Sequence, residues 1–309
     1  MKKNLLFLAA VSLMAIPFLV TSCGKTPVDD TPTEIILPDP PTKDVAMKVE
    51  FKKSDRPIWE NKEAKYEIES IEFTEDSRFI LKSQVIAVKS LKLNDKVCIV
   101  GKFTMSGSVY ICNGSSFSGK VTVEGSGSNA NVKVEGDKMA NVYDGNADVK
   151  HTADAAASAS RDEKNANRTW KVNAVKVDVS GGKKGEITKV FNGCNLEEMA
   201  KWAAENGVDG LKSHLSEFVG YNVDEILFTG EKTFTISFTG ADVSAISGTY
   251  SMSQASKSVS ISLPEGNSFF HGSIPGNYEF SSEREMSLTL NTTIEGYKGS
   301  MAMSLSRAN

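Results

Sequence analysis

Residues 226–238 read ILFTGEKTFTISF. Apolar and small polar residues alternate from Phe234 through Ile236 to Phe238, and Gly230 breaks the run before them. Side chains on a strand point alternately to opposite faces, so this alternation predicts a strand with one buried and one wet face. The same period returns downstream in Val259, Ile261 and Leu263, then Met286, Leu288 and Leu290, then Met301, Met303 and Leu305. Antiparallel sheets in contact with water on one side carry this pattern. Many short, closely spaced strands predict an all-β barrel or sandwich, and closing the sheet removes exposed edges that invite aggregation.

The opening stretch has an upstream echo. IEFTEDSRF at 71–79 answers ILFTGEKTF at 226–234, GKFTM at 101–105 answers GTYSM at 248–252, SVYI at 108–111 answers SVSI at 258–261, and GSSF at 114–117 answers GNSF at 266–269. MKVEF at 47–51 corresponds in the same order to WKVNA at 170–174. Blocks repeated in order predict two copies of one β unit. Between them, residues 151–168 are rich in Ala, Ser and charge and show no apolar stripe, which predicts a linker or long surface loop. In residues 194–220 Asn195 suits a helix cap, with Glu198 at the capping-box position. Leu196, Met199, Ala200 and Ala203 make one stripe, Leu211, Leu215 and Phe218 a second, and Gly207 and Gly220 end the two helices. This pair is expected to cover one end or open side of the second barrel.

The chain opens with Lys2 and Lys3, an apolar run from Leu5 to Val20, and then Thr21-Ser22-Cys23. Charge, hydrophobic stretch and small residues make an export signal. The run is too short and broken for a spanning helix. Small residues before Cys23 resemble the lipobox of bacterial lipoprotein precursors, which implies cleavage after residue 22 and acylation of Cys23. Residues 23–45 hold five of the nine prolines and no aromatic residue, so they predict an extended tether. Anchoring in the cell outer membrane follows, with the periplasmic or surface face left open.

Removing residues 1–22 takes away Lys2 and Lys3, so the net charge falls from −4 to −6. With no basic run, a nucleic-acid partner is not expected. Cys98 and Cys112 fall in a stretch that reads as a hairpin with Ser106-Gly107 as its turn. That register sets Cys112 against Gly101 and Cys98 against Ser115, on opposite faces, so no bond is expected between the two thiols.

Catalytic and metal chemistry find little footing. His151, His214 and His271 are scattered and match no ligand spacing. Asp144, Asn146 and Asp148 imitate the start of a calcium loop, but Val149 and Ala155 stand where Gly and Glu are needed. No cofactor, metal or catalytic residue is assigned, and the chain is not expected to be an enzyme. The acidic residues Glu67, Glu69, Glu72, Glu75 and Asp76 read as a wet face. A site is most natural inside the second barrel, where Phe234, Phe238, Tyr250, Met252, Met286 and Met303 would line it. The same residues suit an ordinary filled core.

RTWKV with Trp170, ILFTGEKTFTISF, SGTYSMSQASKSVSISL and the late MSLTL are similar to the lipocalin-like lipoproteins of Bacteroidetes. The resemblance covers 169–309 well and 46–150 loosely. It implies small antiparallel barrels displayed on a lipid anchor and brings no catalytic residues. The expected organisation is a signal (1–22), a lipidated cysteine and tether (23–45), a barrel-like domain (46–150), a linker (151–168) and a lipocalin-like barrel (169–309) with a helical insertion at 194–220. Two functions remain open. One is the binding of a small apolar or amphipathic ligand inside a barrel. The other is a non-catalytic structural or interaction role toward an envelope protein.

Overall fold

The computed structural model describes residues 46–308, apart from 62–63, 89–95, 115, 153–158, 183–184, 209–211, 213–214, 217, 240–244, 264–271 and 295–296. Cys23 and the tether lie outside the described residues. All named strands pair antiparallel, and they close into two rings.

The first ring begins with β1 (Met47–Phe51), β2 (Ile58–Glu60), β3 (Ala64–Phe73) and β4 (Arg78–Val88). It continues with β5 (Lys96–Ser106), β6 (Val109–Gly114), β7 (Ser118–Glu124), β8 (Gly127–Gly136) and β9 (Tyr143–His151). From β3 to β9 each strand pairs with the next, and β1 closes the ring by pairing with both β3 and β9. The short β2 lies outside the ring, against β3.

The second ring repeats this plan. It uses β10 (Thr169–Gly182), β13 (Asn222–Phe228), β14 (Thr233–Thr239), β15 (Ala245–Ser253), β16 (Ser258–Leu263), β17 (Gly272–Ser282), β18 (Glu285–Ile294) and β19 (Tyr297–Arg307). These eight strands close when β10 pairs with both β13 and β19. β11 (Gly185–Asn192) and β12 (Cys194–Asn195) are side strands on β10 and β13.

The two rings share local chemistry. In the β3–β4 turn Thr74 Oγ1 accepts from the Arg78 amide and Ser77 has φ +61°; in the β13–β14 turn Thr229 Oγ1 accepts from the Thr233 amide and Lys232 has φ +59°. The carbonyl of each left-handed residue then accepts from the next strand but one, at Phe103 and Tyr250. These pairings fix Phe103 against Tyr250 and Gly101 against Gly248. They also correct the match of SVYI with SVSI by one residue. Val259 sits opposite Met252 as Tyr110 sits opposite Met105, so Tyr110 and not Val109 corresponds to Val259. GNSF lies outside the described residues.

Another correction concerns the β5–β6 hairpin. Ser106 pairs with Val109 and Phe103 with Cys112, so the turn is Gly107-Ser108 and not Ser106-Gly107. Gly107 takes φ +61° at the first central position, where a type II′ hairpin favours glycine. A shift of two residues keeps the faces. Cys112 lies in the first barrel's core and Cys98 in a separate cluster outside it, and no disulfide joins them.

The segment 151–168 is not simply a linker. β9 runs to His151, and Arg161–Ala166 forms α1, with the reciprocal Ser160/Glu163 capping box. The helix docks through polar groups, which is why no apolar stripe announced it. Asp162 accepts 2.7 Å hydrogen bonds from Tyr278 and Lys257, and the Ala166 carbonyl accepts from Trp170 Nε1. The first insertion helix is present as α2 (Leu196–Glu205), capped by Asn195, with Leu196, Met199, Ala200 and Ala203 buried in the second barrel's core. Glu198 turns to Lys189 and does not complete the box. For the second helix, Leu211 lies outside the described residues; tight turns place Phe218 in the core, with Leu215 packed against it.

The barrels meet along one side. Ala245 on β15 bridges to Cys98 on β5, and Ile80, Cys98, Leu227 and Ala245 form a small buried cluster. Arg78 pairs with Glu225, and the Thr169 amide donates to Asp76 Oδ2 at 2.7 Å.

Candidate functional site

The second barrel brings its expected lining residues together. Phe234, Phe238, Tyr250, Met286 and Met303 are buried in one core with Trp170, and Met252 packs half-buried against it. Aromatic edges fill the centre. The ring of Phe228 meets Phe234 at 5.1 Å and Tyr250 at 4.9 Å, and the Tyr250 hydroxyl donates to the Thr229 carbonyl at 2.9 Å. A void of about 20 Å³ remains in the core, lined by Phe234 and other apolar side chains including Ile236, Ile261 and Met303. A single water needs about 10–15 Å³, and an apolar void of that size stays dry. A small-molecule pocket takes about 300 Å³ or more. The lining is a packed core.

A larger space lies between the barrels. A cleft of about 300 Å³ is walled by β3–β5 on one side and by β15 and β16 on the other. It exists because the barrels touch at Cys98 and Ala245 and diverge from there. Lys82, Lys96 and Glu69 face it from the first barrel, and Ser247, Thr249 and Ser262 from the second. Lys96 is ion-paired to Glu69, which also receives Arg56 at 3.3 Å. Lys82 has no ion-pair partner among the described residues. Thr249 and Ser262 stand opposite each other across adjacent strands. Both are exposed.

Burial pushes the Cys98 thiol up to about 12, against the nearby Lys82 charge, which favours the thiolate. A thiol held so high is a poor nucleophile at neutral pH. Cys112 and Cys194 are likewise pushed up to about 12 by burial.

Three of the five acidic residues expected to form a wet face, Glu69, Glu72 and Asp76, instead serve the junction, while Glu67 stays partly exposed beside Arg56. Glu72 is 2% exposed, Asp76 accepts from the second barrel's first strand, and Glu69 is doubly paired in the cleft. An outward-facing residue alternates in the same way whether water or another barrel lies beyond it. Sequence reasoning missed Lys82, Thr249 and Ser262 for the same reason. Asp144, Asn146 and Asp148 lie along β9, and no cluster of metal-ligating residues occurs among the described residues. His151 ends β9, while His214 and His271 lie outside the described residues.

No protein-family model and no curated protein matches the chain. Solved structures of transferrin binding protein B are similar in part. A double mutant of the Haemophilus parasuis Hp5 protein, a vaccine antigen, aligns at 11% identity over 79% of this chain and 54% of that one, with a TM-score of 0.26. The isotype 1 protein of serogroup B Neisseria meningitidis aligns at 12% identity over 81% and 60%, with a TM-score of 0.23. The chain thus spans little more than half the length of these proteins. At those scores the likeness bears on neither fold nor function.

Proposed function

We propose that the chain is a lipid-anchored, non-catalytic protein of the bacterial outer membrane that acts by binding through its outer surfaces. The observation that carries this reading is the filled second barrel: an interior void of about 20 Å³ leaves no room for an apolar or amphipathic ligand. The export signal, Cys23 and the proline-rich tether support display on a membrane. The barrels themselves suit water. Their inward faces are apolar, whereas outward positions such as Ser258, Ser260, Asn277 and Ser287 are small and polar, the reverse of a lipid-spanning barrel. The matched turns of the two rings support their reading as copies of one unit, in keeping with the lipocalin-like lipoproteins of Bacteroidetes. In the cleft the Glu69 carboxylate is engaged by two cations and burial holds the Cys98 group as the thiol, so neither is poised as base or nucleophile.

Two measurements test this. Labelled palmitate should enter the parent chain and not Cys23→Ser. Titrating fatty acids and bile-acid-like amphiphiles should leave the tryptophan emission of a Trp59→Phe, Trp202→Phe variant, which reports Trp170 alone, unchanged, while crosslinking of intact envelopes should capture a partner. A saturable change in that emission would instead place a ligand inside the barrel.

A further inference from the structure

We propose that the cleft between the barrels binds a small polyhydroxylated carboxylate, with the acid group on Lys82 and the hydroxyls against Thr249 and Ser262. The volume sets the size. About 300 Å³ is the lower end of the range for small-molecule pockets, which suits a ligand the size of one monosaccharide.

Charge sets the sign. Glu69 is met by both Lys96 and Arg56, whereas Lys82 is uncommitted among the described residues and half-buried beside the Cys98 thiol. A cation between two low-dielectric walls attracts an anion more strongly than one on an open surface. A lone ammonium is a point charge, so it can hold a carboxylate without demanding the fixed bidentate geometry of a guanidinium.

The second barrel contributes the polar wall. Cross-strand partners hold their Cβ atoms about 4.5–5.5 Å apart, so the hydroxyls of Thr249 and Ser262 can reach neighbouring hydroxyls of one sugar ring. Neither makes a side-chain hydrogen bond among the described residues, so no internal bond has to break. Cys98 and the backbone at Gly248 give the ring's C–H face a floor.

The test uses the full chain purified in detergent, titrated calorimetrically with D-glucuronate and with D-glucose. Glucuronate should bind with a Kd of about 1 mM or tighter, and glucose at least about tenfold more weakly. Lys82→Met should cost glucuronate about tenfold or more. Ser262→Trp fills the cleft from an exposed position, so it should abolish binding without touching a core; it decides the matter should Lys82→Met fail to fold. Equal affinity for the two sugars, unaltered binding in the variants, or no glucuronate binding by the parent chain would overturn the proposal. Calorimetry reads neither acylation nor partner capture, so failure here is separate from failure of the envelope reading.

Discussion

Asp162 sits in a segment without an apolar stripe, yet it is 5% exposed. Its carboxylate accepts from the Tyr278 hydroxyl and from Lys257, both at 2.7 Å, and so pins α1 against the second barrel. The two partners differ in what they lose without it. Lys257 has a side chain 55% exposed and can return to water, whereas Tyr278 is 2% exposed and would keep a stranded hydroxyl. Removing one partner of a buried bond to a charged group costs about 1.5–3 kcal/mol. Asp162→Ala should therefore lose roughly that much stability in urea unfolding. Tyr278→Phe removes the hydroxyl that would be stranded, so it should cost less. If both variants unfold at the parent's midpoint, α1 is not held by this carboxylate. Neither the capping box Ser160/Glu163 nor the docking entered the sequence reading of 151–168 as a linker, because a polar anchor leaves no periodicity.

At the level of strands the sequence was most readable. Period-2 alternation marked β14, β16, β18 and β19, and the repeated Phe-Thr blocks marked matching places in the two copies, which the structure shows to be the β3–β4 and β13–β14 turns. Register was harder, since Ser106-Gly107 and Gly107-Ser108 both offer a two-residue turn. What separates them is the glycine's position, and the observed turn puts Gly107 first, at φ +61°. The glycines inside the strands carry a sharper signal. A Cβ on Gly101 would lie 2.4 Å from the Phe79 ring and 2.6 Å from the Asn113 carbonyl. On its counterpart Gly248 it would lie 2.1 Å from the Ser262 carbonyl. Both contacts involve backbone that the ladder holds in place. Gly101→Ala and Gly248→Ala should each destabilise the fold by about 1–3 kcal/mol, read from urea midpoints at a constant slope. A neutral result at one glycine alone would show that the two barrels are not packed alike there.

For the whole molecule, what the sequence could not show is the meeting of the barrels. Lys82 and Thr249 share a cleft although they belong to different rings, and Glu72 is buried on a face that alternation marks as wet. Nothing in a strand's own pattern records what lies against its outer side. The junction also has an electrostatic signature. Burial against the first barrel holds the Glu225 carboxyl above its ordinary value of 4.5, with Asp224 and Asp76 adding to the rise and Arg78 opposing it. The folded state therefore binds this proton more tightly than the unfolded chain does. Its contribution to stability is complete below the ordinary carboxylate value and is lost as pH rises through the raised one. Glu225→Gln cannot ionise. It should unfold with the parent near pH 4 and at a higher temperature at pH 8. Glu231, also raised by burial, is common to both proteins and cancels from the comparison. A Gln variant that melts below the parent at pH 8 would mean that the Arg78 pair outweighs the cost of burying the carboxylate. The junction would then be held by charge, and not despite it.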